Sequence, residues 1–318
     1  MAYSKRILVI RLSALGDVAI LQPIIRMRAE SNPDVLFLLA APPLLKALFD
    51  GIPNLQFVPT IKKQSSWQLF KQLKSLHPDI VADMHHVNRV IRACWLFRLN
   101  GTPVHAIKKH THTPIPSWKR YNRVFDRCGL SSPTALSTCA TQYWQPKENA
   151  ANMRVIGIAP FAQHQGKIWP TSLMEKLIAT LDQSNKYRIL LFGSKSEAAT
   201  LEKWESEFAH VESLAGKHPF EKELDIISQL DLMVSMDSAN MHFASCLGVP
   251  VVSIWGATHP SRGFYGWRQN PNWAIQDNTF NCRPCSKYGN KPCSKGNYPC
   301  LHAITPEMVF EKIKDILQ

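Results

Sequence analysis

Two short segments of this 318-residue chain put residues capable of chemistry at the ends of apolar strands. The first is Arg11-Leu-Ser-Ala-Leu-Gly-Asp17, directly after the apolar run Ile7–Ile10. The second is Met236-Asp-Ser-Ala-Asn-Met-His242, after Leu232–Ser235 and before the turn Gly248-Val-Pro250 and the run Val251–Trp255. A carboxylate beyond a strand end can act as a general base once its surroundings tune it, which makes Asp17 a candidate. Asp also caps helices, so Asp17 could equally be the N-cap of an amphipathic helix spanning about Val18–Ala29. In the second segment Asp237 and Ser238 are good N-caps, and a helix N-terminus with free backbone N–H groups suits a phosphate or diphosphate. An ordinary capped corner that binds nothing is the other reading.

Two further features carry possible chemistry. Glu197 follows Leu191-Phe-Gly-Ser-Lys-Ser and opens a helix; an acidic residue just past such a turn commonly takes ribose hydroxyls, although Glu there also complements the helix dipole. Near the end, Cys282-Arg-Pro-Cys285 is followed by Cys293 and Cys300 in a basic loop rich in Pro, Gly and Asn. Clustered thiols suggest a tetrahedral structural zinc, against free cysteines in a loop. Cys94, Cys128, Cys139 and Cys246 are scattered and read as core residues.

The elements that must position these residues alternate. Strands are predicted at Ile7–Ile10, Val35–Leu39, Phe57–Val58, Ile80–Ala82 and Val104–Ile107, with helical spacing in Trp67–Leu76 and Val90–Leu99. Polar, aperiodic Gln145–Asn152 is a linker, and the pattern then restarts. Its strands are Val155–Ala159, Tyr187–Phe192, Leu232–Ser235 and Val251–Trp255, with helices over Ser172–Asp182, Glu197–Phe208 and Met308–Leu317. Such alternation argues for parallel sheets covered on both faces, an α/β fold in two domains, 1–148 and 149–318. Ligands of open α/β sheets bind beyond the carboxyl ends of the strands, where Asp17 falls.

The pair of motifs, Leu-Ser-Ala-Leu-Gly-Asp early and Met-Asp-Ser-Ala-Asn-Met-His late, resembles glycosyltransferase family 9, the ADP-heptose:lipopolysaccharide heptosyltransferases. The resemblance covers nearly the whole chain and is strongest from Val155 to Thr258. It implies a GT-B fold, two doubly wound domains facing a cleft, with acceptor binding in the first and nucleotide sugar in the second. It implies Asp17 as the catalytic base of an inverting transfer, and Lys167, in the loop Pro160–Pro170, reaching the donor phosphates. Glu197 matches a ribose-binding glutamate, and His242 matches a histidine that contacts the diphosphate or fixes its loop. The chain departs at Ala239, where the family carries Gly, which should alter the backbone's approach to the diphosphate. Gly193, Gly256 and Thr258 line neighbouring strand ends.

No Asp-x-Asp pair stands at a strand end, so Lys167, Ser238 and the N–H groups after Asp237 are expected to stabilise the leaving group in place of a divalent cation, with no catalytic cofactor. The expected partners are ADP-heptose and a phosphorylated lipopolysaccharide core acceptor, the latter held by Ser13, Arg89 and Arg120. Charge agrees: residues 1–150 hold 20 Lys+Arg against 8 Asp+Glu, and residues 151–318 hold 17 against 16. The basic half, with Lys62-Lys63, Arg89/Arg92, Lys108-Lys109-His110 and Lys119-Arg120, fits an anionic partner: the acceptor, an anionic inner-membrane surface or nucleic acid. Basic residues and cysteines fall in opposite halves, so no nucleic acid is expected; a sugar-nucleotide epimerase would need no basic half. A different donor sugar for another surface glycan is the nearer rival. No apolar run is long enough to span a membrane, and Arg11 and Asp17 interrupt the N-terminal one, so the expectation is a cytoplasmic enzyme, peripheral to the inner membrane, with reduced thiols.

Overall fold

The computed structural model describes residues 3–61, 63–108, 115–131 and 153–318. The chain divides into two compact units, Met1–Cys139 and Ala140–Gln318; the expected linker Gln145–Asn152, with its boundary at 148, lies outside the described residues, as do Lys62, Lys109, His110 and Cys139.

In the first unit the strands are β1 (Lys5–Ile10), β2 (Val35–Ala41), β3 (Leu55–Pro59), β4 (Ile80–Asp83) and β5 (Val104–Ala106). They form one parallel sheet in the order β3-β2-β1-β4-β5, with Ile10 beside both Ala40 and Asp83. The helices are α1 (Leu15–Ala19), α2 (Leu21–Ser31), α3 (Ser66–Lys74), α4 (Asn88–Leu99) and α5 (Ser117–Arg127). The single helix expected from Val18 is two, α1 and α2. Pro23 has no N–H for the Ala19 carbonyl and its ring crowds that group, so the helix breaks there. Helices α3 and α4 bury Leu69, Phe70, Leu73, Val90, Ala93 and Phe97 against Leu8, Ile10 and Val81 of the sheet. Ser65 and Gln68 close a capping box at the start of α3.

The second unit repeats the plan. Its strands are β6 (Arg154–Ala159), β7 (Tyr187–Leu191), β8 (Val211–Ser213), β9 (Leu232–Met236), β10 (Val251–Trp255) and β11 (Ala274–Gln276), all parallel, in the order β11-β10-β9-β6-β7-β8. Helices α6 (Thr171–Gln183), α7 (Ala198–Glu207), α8 (Phe220–Ile227), α9 (Ala239–Cys246), α10 (Pro299–His302) and α11 (Pro306–Leu317) complete it. The core packs Trp169, Trp204, Ile156, Leu191, Val234 and Ile254, all essentially without exposure. Strands β9 and β10 are buried at every residue, as sheets covered on both faces require. Five helical or strand elements, α5, α8, α10, β8 and β11, were not foreseen from the sequence pattern. Among the described residues no helix is long and apolar enough to cross a membrane.

Candidate active site

Strand order reverses at one place in each sheet: between β1 and β4 in the first, between β6 and β9 in the second. At such a switch point the loops leaving adjacent strands diverge and open a crevice beyond the carboxyl ends. Each of the two motifs lands on one of these points.

In the first unit the loop after β1 is bound to the loop after β4. Arg11 donates from Nη1 to the Met84 carbonyl (2.6 Å) and pairs through Nη2 with the Asp17 carboxylate (2.5 Å). Ser13 Oγ and His85 Nε2 lie 3.0 Å apart. Buried Asp83 holds the β4 loop in shape by accepting the backbone N–H groups of His85 (2.9 Å) and His86 (2.7 Å). From α5, Tyr121 donates to the Asp17 carbonyl (3.2 Å) and lies under the Arg11 guanidinium; burial raises its phenol well above the ordinary range. Helix α5 is itself locked by fully buried Arg28, which binds Asp126 (2.6 Å), Asn122 and the Leu130 carbonyl. Asp17 is not an N-cap: it sits within the first turn of α1, whose N-cap position is Ala14. The capping role is thereby removed, and what remains is a carboxylate neutralised by an anchored arginine.

The residues expected to meet the acceptor do not form one cluster. Ser13 belongs to the loop just described. Arg89, at the start of α4, donates to the Gln64 carbonyl (3.1 Å), and partial burial lowers its pKa. Arg120, on α5, donates to Ser117 Oγ (2.7 Å).

In the second unit Lys167 lies in a short 3-10 turn, Gln165–Lys167, after β6. Its Nζ pairs with the Asp237 carboxylate (2.8 Å) and donates to the Asp237 carbonyl (3.2 Å), joining the loops after β6 and β9. Ser238 occupies the N-cap position of α9, but its side chain does not cap; its hydroxyl instead shares a hydrogen bond with Ser235 (3.1 Å). The first N–H groups of α9 are therefore not taken by a side chain of the cap residue, and the helix dipole points the same way. Ala239 opens that helix in helical conformation, where a β-carbon carries no backbone penalty. His242 is buried one turn on, in α9. Glu197 is the residue before α7, and its carboxylate accepts Ser194 N (2.6 Å) and Ser194 Oγ (2.8 Å). It is thus folded onto its own turn rather than poised in the first helical turn.

The cysteine-containing loop buttresses this site. Arg283 donates to the carbonyls of Gly256 (2.6 Å), Trp255 (3.0 Å) and Thr258 (3.1 Å), fixing the end of β10. Ser286 N donates to the Ala257 carbonyl (3.1 Å). A β-carbon at Gly289, which has φ +76°, would stand 2.6 Å from Lys167 Cγ, so the loop lies directly along the lysine stem. Gly256 likewise serves packing: its β-carbon would meet Leu301 at 2.5 Å. The four thiols are electrostatic neighbours, and burial raises those of Cys285 and Cys300, reinforced by the other thiols of the cluster. Among the described residues, however, no three His, Cys, Asp or Glu side chains are grouped so as to hold a metal ion. Zinc at Cys282, Cys285, Cys293 and Cys300 stays a proposal; the loop itself is tied down by Arg283 and Ser286, and Cys300 is buried on α10.

Arg11, Asp83, His85, Tyr121, Arg283 and Gly289 escaped the sequence reading. Only Asp83 carried a signal, an Asp at a strand end followed by two histidines. The others are recognised by what their backbone and side chains touch.

The profile of glycosyltransferase family 9 (heptosyltransferase) matches residues 124–295, more than half of the chain. Lipooligosaccharide heptosyltransferase 2 of Campylobacter jejuni is 27% identical over 169 residues, 51% of this chain and 51% of that protein; the chain spans about half the length of such curated relatives. A family 9 glycosyltransferase structure from Veillonella parvula shares the fold with a TM-score of 0.77 at 19% identity, covering 100% of this chain and 98% of that one. The E. coli heptosyltransferase WaaC, solved with ADP, does so with a TM-score of 0.69 at 20% identity over 98% and 99%. The GT-B fold expected from the motifs is the fold of these proteins. With both motifs folded onto strand-switch points and the family profile spanning more than half its residues, the chain belongs to glycosyltransferase family 9.

Proposed function

We propose that this protein is an inverting glycosyltransferase that moves a heptose from ADP-heptose to the inner core of a lipopolysaccharide, at the cytoplasmic side of the inner membrane. One observation carries the reading: each switch point holds a carboxylate–cation pair, and the two pairs present opposite partners. In the first unit the cation is tied to backbone, and the carboxylate of Asp17 is what a substrate meets. In the second the carboxylate of Asp237 is buried, and the lysine is the adjustable partner.

The chemistry follows. Asp17 accepts the proton of the acceptor hydroxyl as its oxygen attacks the anomeric carbon. The bond from that carbon to the donor phosphate breaks, and the electron pair leaves with ADP. Lys167, the Ser238 hydroxyl and the first N–H groups of α9 stabilise the charge that develops on the diphosphate, the work a divalent cation performs in other transferases. Arg11 holds the Asp17 carboxylate in place, a positioning role. Ser13, Arg89 and Arg120 supply hydroxyl and charge to a phosphorylated acceptor, and Glu197 and His242 complete the donor side. The ADP-bound structure of WaaC, which shares this fold, supports the choice of nucleotide.

A thermal-shift comparison of ADP, UDP, GDP and CMP tests the donor. A ligand at 100 times its dissociation constant adds about 2.7 kcal/mol of stability. ADP should give the largest shift; a larger shift with UDP, GDP or CMP would replace ADP-heptose by another nucleotide sugar.

A further inference from the structure

The outer surface of the α3–α4 layer is unlike the rest of the first unit. Both helices bury one stripe on the sheet, Leu69, Phe70 and Leu73 from α3 and Val90, Ala93 and Phe97 from α4. Their opposite stripes face outward. On α4 that stripe is Asn88, Arg92, Trp95 and Leu99, at helical spacing of four, three and four. On α3 it is Trp67, Lys71 and Lys74. Trp67 is 52% exposed, Trp95 60% and Leu99 67%, a concentration of large apolar side chains that a solvated helix face has no reason to hold.

The charge is one-sided. Neither helix contains an Asp or Glu, while between them they carry Lys71, Lys74, Arg89, Arg92 and Arg98. Lys71 Nζ sits 5.2 Å from the centre of the Trp67 ring, and Lys74 Nζ 5.5 Å from that of Phe70. The acidic side chains nearest in sequence are otherwise engaged: Asp79 accepts Arg6 N (2.7 Å), and Asp83 accepts the two histidine N–H groups. Glu30 and Asp126 belong to α2 and α5, which pack together apart from this layer.

We infer that the outer face of α3 and α4, with Trp67, Trp95 and Leu99 set among lysines and arginines, is a docking surface for an anionic phospholipid bilayer. Indole rings favour the interfacial zone, with an apolar body and a polar N–H. Leu99 gains only from hydrocarbon, and the lysine and arginine stems can lie along the surface with their charges at the headgroups. A nucleic acid would reward the cations and stack on the rings, but it offers nothing to Leu99. The inference rests on this surface alone and not on the sugar or acceptor assigned above.

Sedimentation of the full chain with vesicles tests it. The probes are phosphatidylcholine alone and phosphatidylcholine with about a third phosphatidylglycerol, free of any glycolipid acceptor. The wild type should bind the anionic vesicles, bind neutral ones far more weakly, and lose about tenfold in affinity from low to physiological salt. The double variant Trp95→Gln, Leu99→Gln, which keeps good helix formers, should bind at least about tenfold more weakly while its melting temperature and ADP-induced shift stay at wild-type values. The pair Lys71→Glu, Lys74→Glu should abolish the preference for anionic lipid. Equal binding to both vesicle types, undiminished binding by the Gln variant, or tight binding to duplex DNA or RNA with none to vesicles would each overturn the assignment. A failed ADP shift in the wild type would instead count against the donor reading and leave vesicle binding to be judged by itself.

Discussion

The Arg11–Asp17 and Lys167–Asp237 pairs occupy equivalent places in two similar sheets, yet they are built in opposite ways. The lysine pair joins the loops after β6 and β9, whereas the arginine pair lies within the connection after β1 and reaches the β4 loop only through the bond from Arg11 to the Met84 carbonyl. In the first pair the arginine and aspartate side chains keep 10% and 15% exposure; in the second the lysine keeps 17% and the aspartate 4%. Arginine offers a planar fork, and here one arm is spent on the Met84 carbonyl, so the guanidinium cannot follow a ligand. Lysine is a point charge on a flexible stem with three donors, so its Nζ can bond a phosphate oxygen while keeping its contact with buried Asp237. The first unit therefore presents a carboxylate beside an anchored cation, and the second a cation beside a buried carboxylate. In the proposed reaction, which partner is anchored separates the base, Asp17, from the leaving-group stabiliser, Lys167.

This contrast can be broken from either side. Asp17→Asn carries the largest expected effect, a fall in steady-state turnover of about 100- to 10,000-fold. Because Asp17 also balances a mostly buried arginine, the variant should lose about 1–3 kcal/mol of stability as well. Turnover must then be measured well below its melting temperature. Unchanged stability would mean the Arg11–Asp17 pair contributes nothing to the fold.

Lys167→Met comes next. Losing one charge-assisted hydrogen bond to the diphosphate should weaken ADP binding by about 10- to 100-fold, measured by calorimetry. An ADP affinity equal to that of the wild type would remove Lys167 from the donor site. Gly289→Ala sharpens the same half. Its β-carbon would collide with the lysine stem, and its positive φ disfavours any side chain. ADP affinity should fall several-fold, about 1 kcal/mol, with the melting temperature lowered by a few degrees. A lowered melting temperature with ADP affinity intact would separate the loop from Lys167.

The smallest effect concerns thiols. Burial pushes Cys128 and Cys246 up to about 12 and raises Cys94 further. The thiolate is the nucleophile, so at pH 8 its fraction at Cys128 and Cys246 is on the order of one in ten thousand. Iodoacetamide should modify Cys282 and Cys293 first, as read by peptide mass spectrometry. Bound ADP should slow the loop thiols a few-fold and leave Cys94 and Cys128, in the other unit, unchanged. Labelling of Cys246 at the rate of the loop cysteines would show that its burial is not maintained.

Much of this was legible in the amino-acid order, for reasons that differ by residue. Buried parallel strands read as apolar runs, so β1, β2, β6, β7, β9 and β10 were visible. Helix α5 was obscured because Lys119, Arg120, Arg123, Asp126 and Arg127 mask its inward residues Tyr121, Val124 and Phe125. Asp17, Lys167, Asp237 and Ser238 stood out because motif and strand end coincide. Their partners did not, since a bond from Arg11 to Met84 spans 73 residues and depends on β1 lying beside β4. In the cysteine loop only the thiol spacing could be read; the contacts by which Arg283 and Gly289 tie the loop to the end of β10 and to the lysine stem left no mark in the sequence.

The central claim is that the carboxylate of the first unit does the proton chemistry and the lysine of the second binds the leaving group. Its most direct test is the ADP dissociation constant of Asp17→Asn beside its turnover at saturating donor, in the same preparation. The expected result is ADP binding within about twofold of wild type with turnover reduced at least about 100-fold. Near-normal turnover, or a loss of ADP affinity as large as that of Lys167→Met, would contradict the division of labour between the two pairs.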